Sequence, residues 1–117
     1  MKHFLIIVLL LVSVIANATP LEDAESICLE NKTEVFKADC FETLNKTFYL
    51  DAEVVKICKS LIYDPFRNDC LYIAANKKFE TDKLLKCGES TSLNGIISDT
   101  NTLFCLLDTP SKHFLDN

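Results

Sequence analysis

Tryptophan is absent, methionine stands only at the first position, and glycine is confined to Gly88 and Gly95. Two glycines cannot build a glycine-rich phosphate loop, so the common nucleotide-binding signatures are excluded. Histidine is nearly as scarce, at His3 and His113. A nucleophile with an imidazole base therefore has only His113 to draw on once the leader described below is set aside. His113 lies beyond Pro110 near the end of the chain, and reads as a solvated tail residue rather than a base. Basic residues are in deficit, with 12 Lys and Arg against 17 Asp and Glu and a net charge of −5. That argues against a nucleic-acid partner, which needs basic density to displace counterions from phosphates. No apolar run approaches the roughly 20 residues of a membrane span, and no segment alternates long enough to predict a sheet.

What is present first is a leader. Met1-Lys2-His3 is a short positive start, Phe4 to Val12 is an unbroken apolar run, and Ala16-Asn17-Ala18 is a small-x-small cleavage site before Thr19-Pro20. This three-part pattern predicts a secretory signal peptide over residues 1–18. Phe4 to Ile15, interrupted by Ser13, is too short for an anchor, so no stable membrane insertion is expected after cleavage. The remaining 99 residues, with 11 basic against 17 acidic side chains, make one small domain with a marginal core. All six cysteines fall in it, and in an exported chain they read as a disulfide framework. A periplasmic or extracellular location follows.

The cysteines, Cys28, Cys40, Cys58, Cys70, Cys87 and Cys105, form C-x11-C, C-x11-C and C-x17-C at a period near 30 residues. That period suits helical-hairpin repeats. Phe36-Lys37-Ala38-Asp39-Cys40 matches Phe66-Arg67-Asn68-Asp69-Cys70 without a gap, and Asn45-Lys46-Thr47-Phe48 matches Asn76-Lys77-Lys78-Phe79 with a shift of one. Repeat units are expected at about 28–57 and 58–86, with a degenerate third at 87–108 and a tail at 109–117. In the third, the Ser/Thr/Asn/Gly-rich stretch Gly88 to Thr102 replaces the first half.

The fold predicted is all-α, a small disulfide-stapled array of two to three helical hairpins. Thr19-Pro20-Leu21-Glu22 is a capping box with proline at the first helical position, and Asp64-Pro65 is a second start signal. Helices are expected over 20–30, 34–48, 51–62, 65–78, 81–87 and 99–108. Phe36, Cys40, Phe41, Leu44 and Phe48 should share one face of the second, and Val54, Ile57, Cys58, Leu61 and Ile62 one face of the third. Six cysteines allow fifteen connectivities. Cys58 and Cys70 sit six residues either side of Asp64, where the chain should turn, which favours Cys28–Cys40, Cys58–Cys70 and Cys87–Cys105. The alternative joins neighbouring units as Cys40–Cys58 and Cys70–Cys87.

Chemistry is thin. Cysteines 12 to 18 residues apart fit disulfides better than a tetrahedral zinc site, and no metal or other cofactor is expected. Glu22, Asp23, Glu25, Glu30 and Glu34 could supply a glycosidase pair, but they also complement helix N-termini on an acidic surface. The matched Asp39 and Asp69 read as structural, in hairpin ion pairs or caps. Asn31-Lys32-Thr33 and Asn45-Lys46-Thr47 match the glycosylation acceptor pattern. Glu89 to Thr102 is long for a loop in a helical domain, and its apolar residues Leu93, Ile96 and Ile97 either fold back on the core or present a contact surface.

The segment Tyr63-Asp64-Pro65-Phe66-Arg67-Asn68-Asp69-Cys70-Leu71, flanked by Cys58 and Cys87, resembles cysteine-bearing helical-hairpin repeats of small exported proteins from Gram-negative predatory bacteria. The likeness covers about residues 28–87 and implies export and disulfides, but no activity. The spacing fits neither a saposin-like protein, with its closely paired cysteines near the start, nor an insect odorant-binding protein, with its C-x3-C step. The expectation is a non-catalytic interaction module that binds another protein in the envelope or outside the cell, of inhibitor or immunity type. The alternative is a small carrier holding an apolar ligand between helices. Neither oligomeric state nor partner identity is legible.

Overall fold

The structure is a computed structural model that describes residues 19–89 and 95–114, with side chains in the last helix described from Ser98 onward. The leader at 1–18 and Leu93 lie outside the described residues. Among the described residues six helices follow in order: α1 (Pro20–Leu29), α2 (Glu34–Asn45), α3 (Ala52–Ser60), α4 (Asp64–Ala74), α5 (Thr81–Glu89) and α6 (Gly95–Asp108). Two short strands, β1 (Lys77–Phe79) and β2 (Ser111–His113), complete them.

Helix starts follow the local chemistry. Thr19 Oγ1 accepts the Glu22 N–H at 3.2 Å with Pro20 in the first turn of α1, Thr33 Oγ1 accepts the Phe36 N–H at 3.2 Å, and Asp51 Oδ1 accepts the Glu53 N–H at 3.1 Å. Each satisfies an amide that the first turn leaves without a partner.

Helices α1 to α4 are shorter than their periodicity suggests, and residues 77–78, expected to extend α4, form a strand with Phe79 instead. Asn76 causes the change. It adopts φ 59°, a left-handed conformation that asparagine tolerates because its short amide can bond nearby backbone. Its Oδ1 accepts the N–H groups of Phe48 at 2.8 Å and Tyr49 at 3.2 Å, and its Nδ2 donates to Lys46 O at 3.1 Å. The same bonds hold the turn that ends α2 at Asn45. Beyond Asn76 the chain is extended and pairs antiparallel with β2 in the register Lys77↔His113, Lys78↔Lys112 and Phe79↔Ser111. The expected tail is therefore paired as far as His113.

The third unit also departs from expectation. Gly95 to Ser98, ahead of the expected helix, belong to α6, which reaches back four residues before the anticipated start at 99.

The three disulfides are Cys28–Cys40, Cys58–Cys70 and Cys87–Cys105, each within one hairpin. Packing builds two rows: α1 lies on α3 and α3 on α5, while α2 lies on α4 and α4 on α6. The core between the rows centres on Ile27, Val54, Val55, Leu71, Leu84 and Leu106 with all the cysteines except Cys105, which packs against its edge. Of the two faces expected from periodicity, Cys40, Leu44, Val54, Ile57, Cys58 and Leu61 are buried and Phe41 packs against them. Phe36, Phe48 and Ile62 instead stay exposed: Phe48 and Ile62 lie beyond the ends of α2 and α3, where the helical period no longer directs them inward, and Phe36 lies in the first turn of α2.

Candidate functional site

Two carboxylates join the units. Asp64 Oδ2 accepts the backbone N–H of Lys32 at 2.9 Å in the α1–α2 turn. Asp99, 1% exposed, accepts Ile62 N–H at 3.1 Å and Tyr63 N–H at 3.0 Å in the α3–α4 turn. Tyr63 begins α4 without a side-chain cap of its own, so the cap comes from the next unit. Asp64 and Asp99 each stand six residues before the second cysteine of their unit, and Glu34 holds that position in unit one. With no earlier unit to cap, Glu34 is exposed and pairs with Lys37 at 3.5 Å. The recurrence of an acid at this position was legible in the sequence and identifies the unit-to-unit contact.

Asp64 is also bonded to Arg67, whose Nη1 donates to the carbonyls of Leu61 at 3.2 Å and Ile62 at 3.3 Å. The cation expected beside Asp69 thus serves Asp64. Asp39 and Asp69 are both exposed, and partial burial raises the Asp69 carboxyl above the usual carboxylate range. Asn31 and Asn68 make a second bridge, a reciprocal amide pair at 3.0 Å in both directions. Asn31 Nδ2, the atom a glycan would occupy, is buried and also donates to Ile27 O and Cys28 O. Asn45 is exposed.

A half-open groove of about 680 Å³ runs between the C-terminal halves of α2 and α4 and the sheet. Asp39, Glu42, Lys46, Tyr72, Lys77 and His113 are among its lining residues, with Thr43, Thr47 and Asn76 on its floor and sides. Tyr72 is 73% exposed, and Lys46 pairs with Glu42 at 3.4 Å. The acidic residues of α1 stay out of it. Glu22 and Asp23 occupy the first turn of α1, and Asp23 pairs with Lys59 at 3.5 Å. Among the described residues no cluster of His, Cys, Asp and Glu has metal-ligand geometry, and no helix is long and apolar enough to cross a membrane.

At the opposite end of the hairpins Leu29, Val35, Phe36, Ile62 and Tyr63 are exposed. They lie close together because the first two turns are side by side, joined by Asp64 on Lys32 N–H and by Asn68 Nδ2 on Phe36 O at 3.2 Å. Leu85, Phe104 and Leu107 of unit three are also exposed, but Phe104 and Leu107 lie toward the C-terminal end of α6, away from the tips. Of the residues expected to make a contact surface, Ile96 and Ile97 fall in the first turn of α6. Their side chains lie outside the described residues, as does Leu93. Periodicity had placed Phe36 and Ile62 on buried faces, so the apolar hairpin ends were not anticipated.

Fold and surface together define a disulfide-stapled stack of helical hairpins with apolar tips. Comparison with protein-family models, curated proteins and solved structures gives no match, so the site is read from its own residues. Three disulfides among the described residues fit an oxidising compartment.

Proposed function

We propose that this chain is an exported, non-catalytic interaction module that binds a protein partner in the envelope or outside the cell, as inhibitors and immunity-type proteins do. The observation that carries the reading is the apolar set at the hairpin tips. Leu29 is 64% exposed, Val35 69% and Ile62 57%, and clustered exposed apolar side chains on a small domain are characteristic of association surfaces. A rigid scaffold supports them, since each tip is held by a disulfide below it and a carboxylate from the next unit. The charged, hydroxyl-lined groove also favours this reading over a carrier, because an apolar ligand there would desolvate carboxylates and ammonium groups without pairing them. Export rests on the leader pattern of residues 1–18, and a mature chain beginning at Thr19 is the expected product.

Affinity purification of the exported protein from its own host, with Val35→Ser/Ile62→Ser alongside, tests the proposal. The wild type should retain a specific partner, and the double variant should lose it with an unchanged thermal midpoint, since exposed anchors serve association far more than folding. A partner held equally by both proteins would overturn the assignment of the tips.

A further inference from the structure

We infer that the outer edge of β2 is a second binding surface, separate from the hairpin tips, that takes an extended acidic peptide as a third strand. The register places Lys78 opposite Lys112, and the flanking bonds run from Phe114 N–H to Asn76 O at 2.9 Å and from Glu80 N–H to Pro110 O at 3.2 Å. In an antiparallel ladder paired residues alternate. Residues 76, 78 and 80 therefore face 114, 112 and 110 at the bonded positions, with a single bond at each end because Asn76 N–H donates to Tyr49 O and Pro110 has no N–H, while Lys77, Phe79, Ser111 and His113 direct their amides outward. On β1 that outer edge is met, for Phe79 N–H donates to Asp51 Oδ2 at 3.4 Å. On β2 all three residues are exposed, and among the described residues nothing meets the outward groups of Ser111 and His113. Such an edge is a template for an extended backbone.

Charge selects the occupant. Three of the six strand residues are lysines, Lys77, Lys78 and Lys112, in a chain whose net charge is −5. Of these, Lys78 pairs with Asp51 at 3.3 Å, which leaves Lys77 and Lys112 without a carboxylate partner among the described residues; Lys46, on the groove wall beside Lys77 and His113, pairs with Glu42. Lys77 and His113 lie on one face of the sheet and Lys78 and Lys112 on the other, so a third strand with acidic residues meets cations on both. A second copy is a poor occupant. Antiparallel pairing of β2 with itself about its centre sets Lys112 against Lys112, and like charges directly opposite destabilise a ladder. A polyanion wide enough to cover the groove would meet Asp39 and Glu42, whereas a single strand along the edge need not.

The test uses the oxidised mature chain, 15N-labelled, titrated with a capped Val-Glu-Val-Glu-Val-Glu-Val peptide and its Val-Lys counterpart. Binding of the acidic peptide alone is expected, with amide shifts centred on Ser111 and His113, slowed hydrogen exchange at their N–H groups, and weakening by salt. Lys112→Glu should weaken it about fivefold. Ser111→Pro should weaken it comparably, because proline removes an outward N–H and leaves the ladder bond of Lys112 intact. If Ser111→Pro misfolds, Lys112→Glu and the exchange of His113 N–H still decide the matter. Equal binding of the two peptides, indifference to Lys112→Glu, shifts confined to the hairpin tips, or edge-to-edge dimerisation would each overturn the inference. Val35→Ser/Ile62→Ser should leave peptide binding unchanged, so failure here and failure of the tip surface are separately visible.

Discussion

Asp99 Oδ2 lies 3.0 Å from the backbone nitrogen of Tyr63, 36 residues earlier, and is the cap that α4 lacks in its own turn. Its carboxylate is buried and also accepts Ile62 N–H, so the third hairpin closes the second. Asp99→Ala strands two amides and should lower stability by about 2–4 kcal/mol. Asp99→Asn keeps one acceptor and should cost less. Glu34→Gln at the equivalent exposed position should change the midpoint by less than about 0.5 kcal/mol. Chemical denaturation of the oxidised variants measures all three, and a costly Glu34→Gln would contradict the capping account.

Asn31 and Asn68 have apolar counterparts one unit on. Leu61 and Leu103 stand at the same offsets from their cysteines, Leu61 buried and Leu103 packed against the core. Asn31→Leu alone leaves the Asn68 amide without its partner and should cost about 1–3 kcal/mol. Asn31→Leu/Asn68→Leu should recover part of that loss by copying the unit two to three contact. A double-mutant cycle reads the coupling, and a double variant as unstable as the sum of the singles would show that the two interfaces are not equivalent.

Each disulfide ties a hairpin whose cysteines are 12, 12 or 18 residues apart. In the chain-entropy model each is worth on the order of 3 kcal/mol, and the three together are comparable with the whole stability of a small domain. Reduction should therefore remove most of the helical circular dichroism at 37 °C, and non-reducing peptide mapping should recover three within-unit bridges. A reduced chain that melts at the oxidised midpoint would mean the core suffices without them.

Two groups set the expected pH response. Burial raises Asp69 above its ordinary 3.8, so the folded state holds that proton more tightly than the unfolded state. Its ionisation therefore destabilises the fold as pH rises from about 3.8 through the folded value. Asp69→Asn should be at least as stable as wild type at pH 7, with the difference vanishing below pH 3.8. Lys78 is raised above 10.5, first by its hydrogen bond to Asp51 and then by that carboxylate's charge. Its contribution is present below 10.5 and is lost as pH rises through the folded value. Lys78→Met should therefore flatten the alkaline limb of the stability profile.

The sequence by itself determined the helices and favoured the pairing of the staples. Cysteine spacing about the turns at Thr33 and Asp64 decides which sulfurs meet, because a helical hairpin brings residues equally distant from its turn to the same height. Periodicity and caps are local, so they place helix starts to within about a residue for α1 to α5. Tertiary structure decided the rest. Periodicity cannot tell that Asn76 leaves the helical region, since the three bonds its side chain makes are with residues about 30 positions earlier. Nor could it see β1 and β2, three residues each and 34 apart, whose pairing depends on α5 and α6 folding back between them. Which apolar residues stay bare is likewise decided by the fold: Ile62 would continue the face of Val54 and Cys58 only if α3 ran on past Ser60, and Phe36 stands in the first turn of α2, one turn outside buried Cys40.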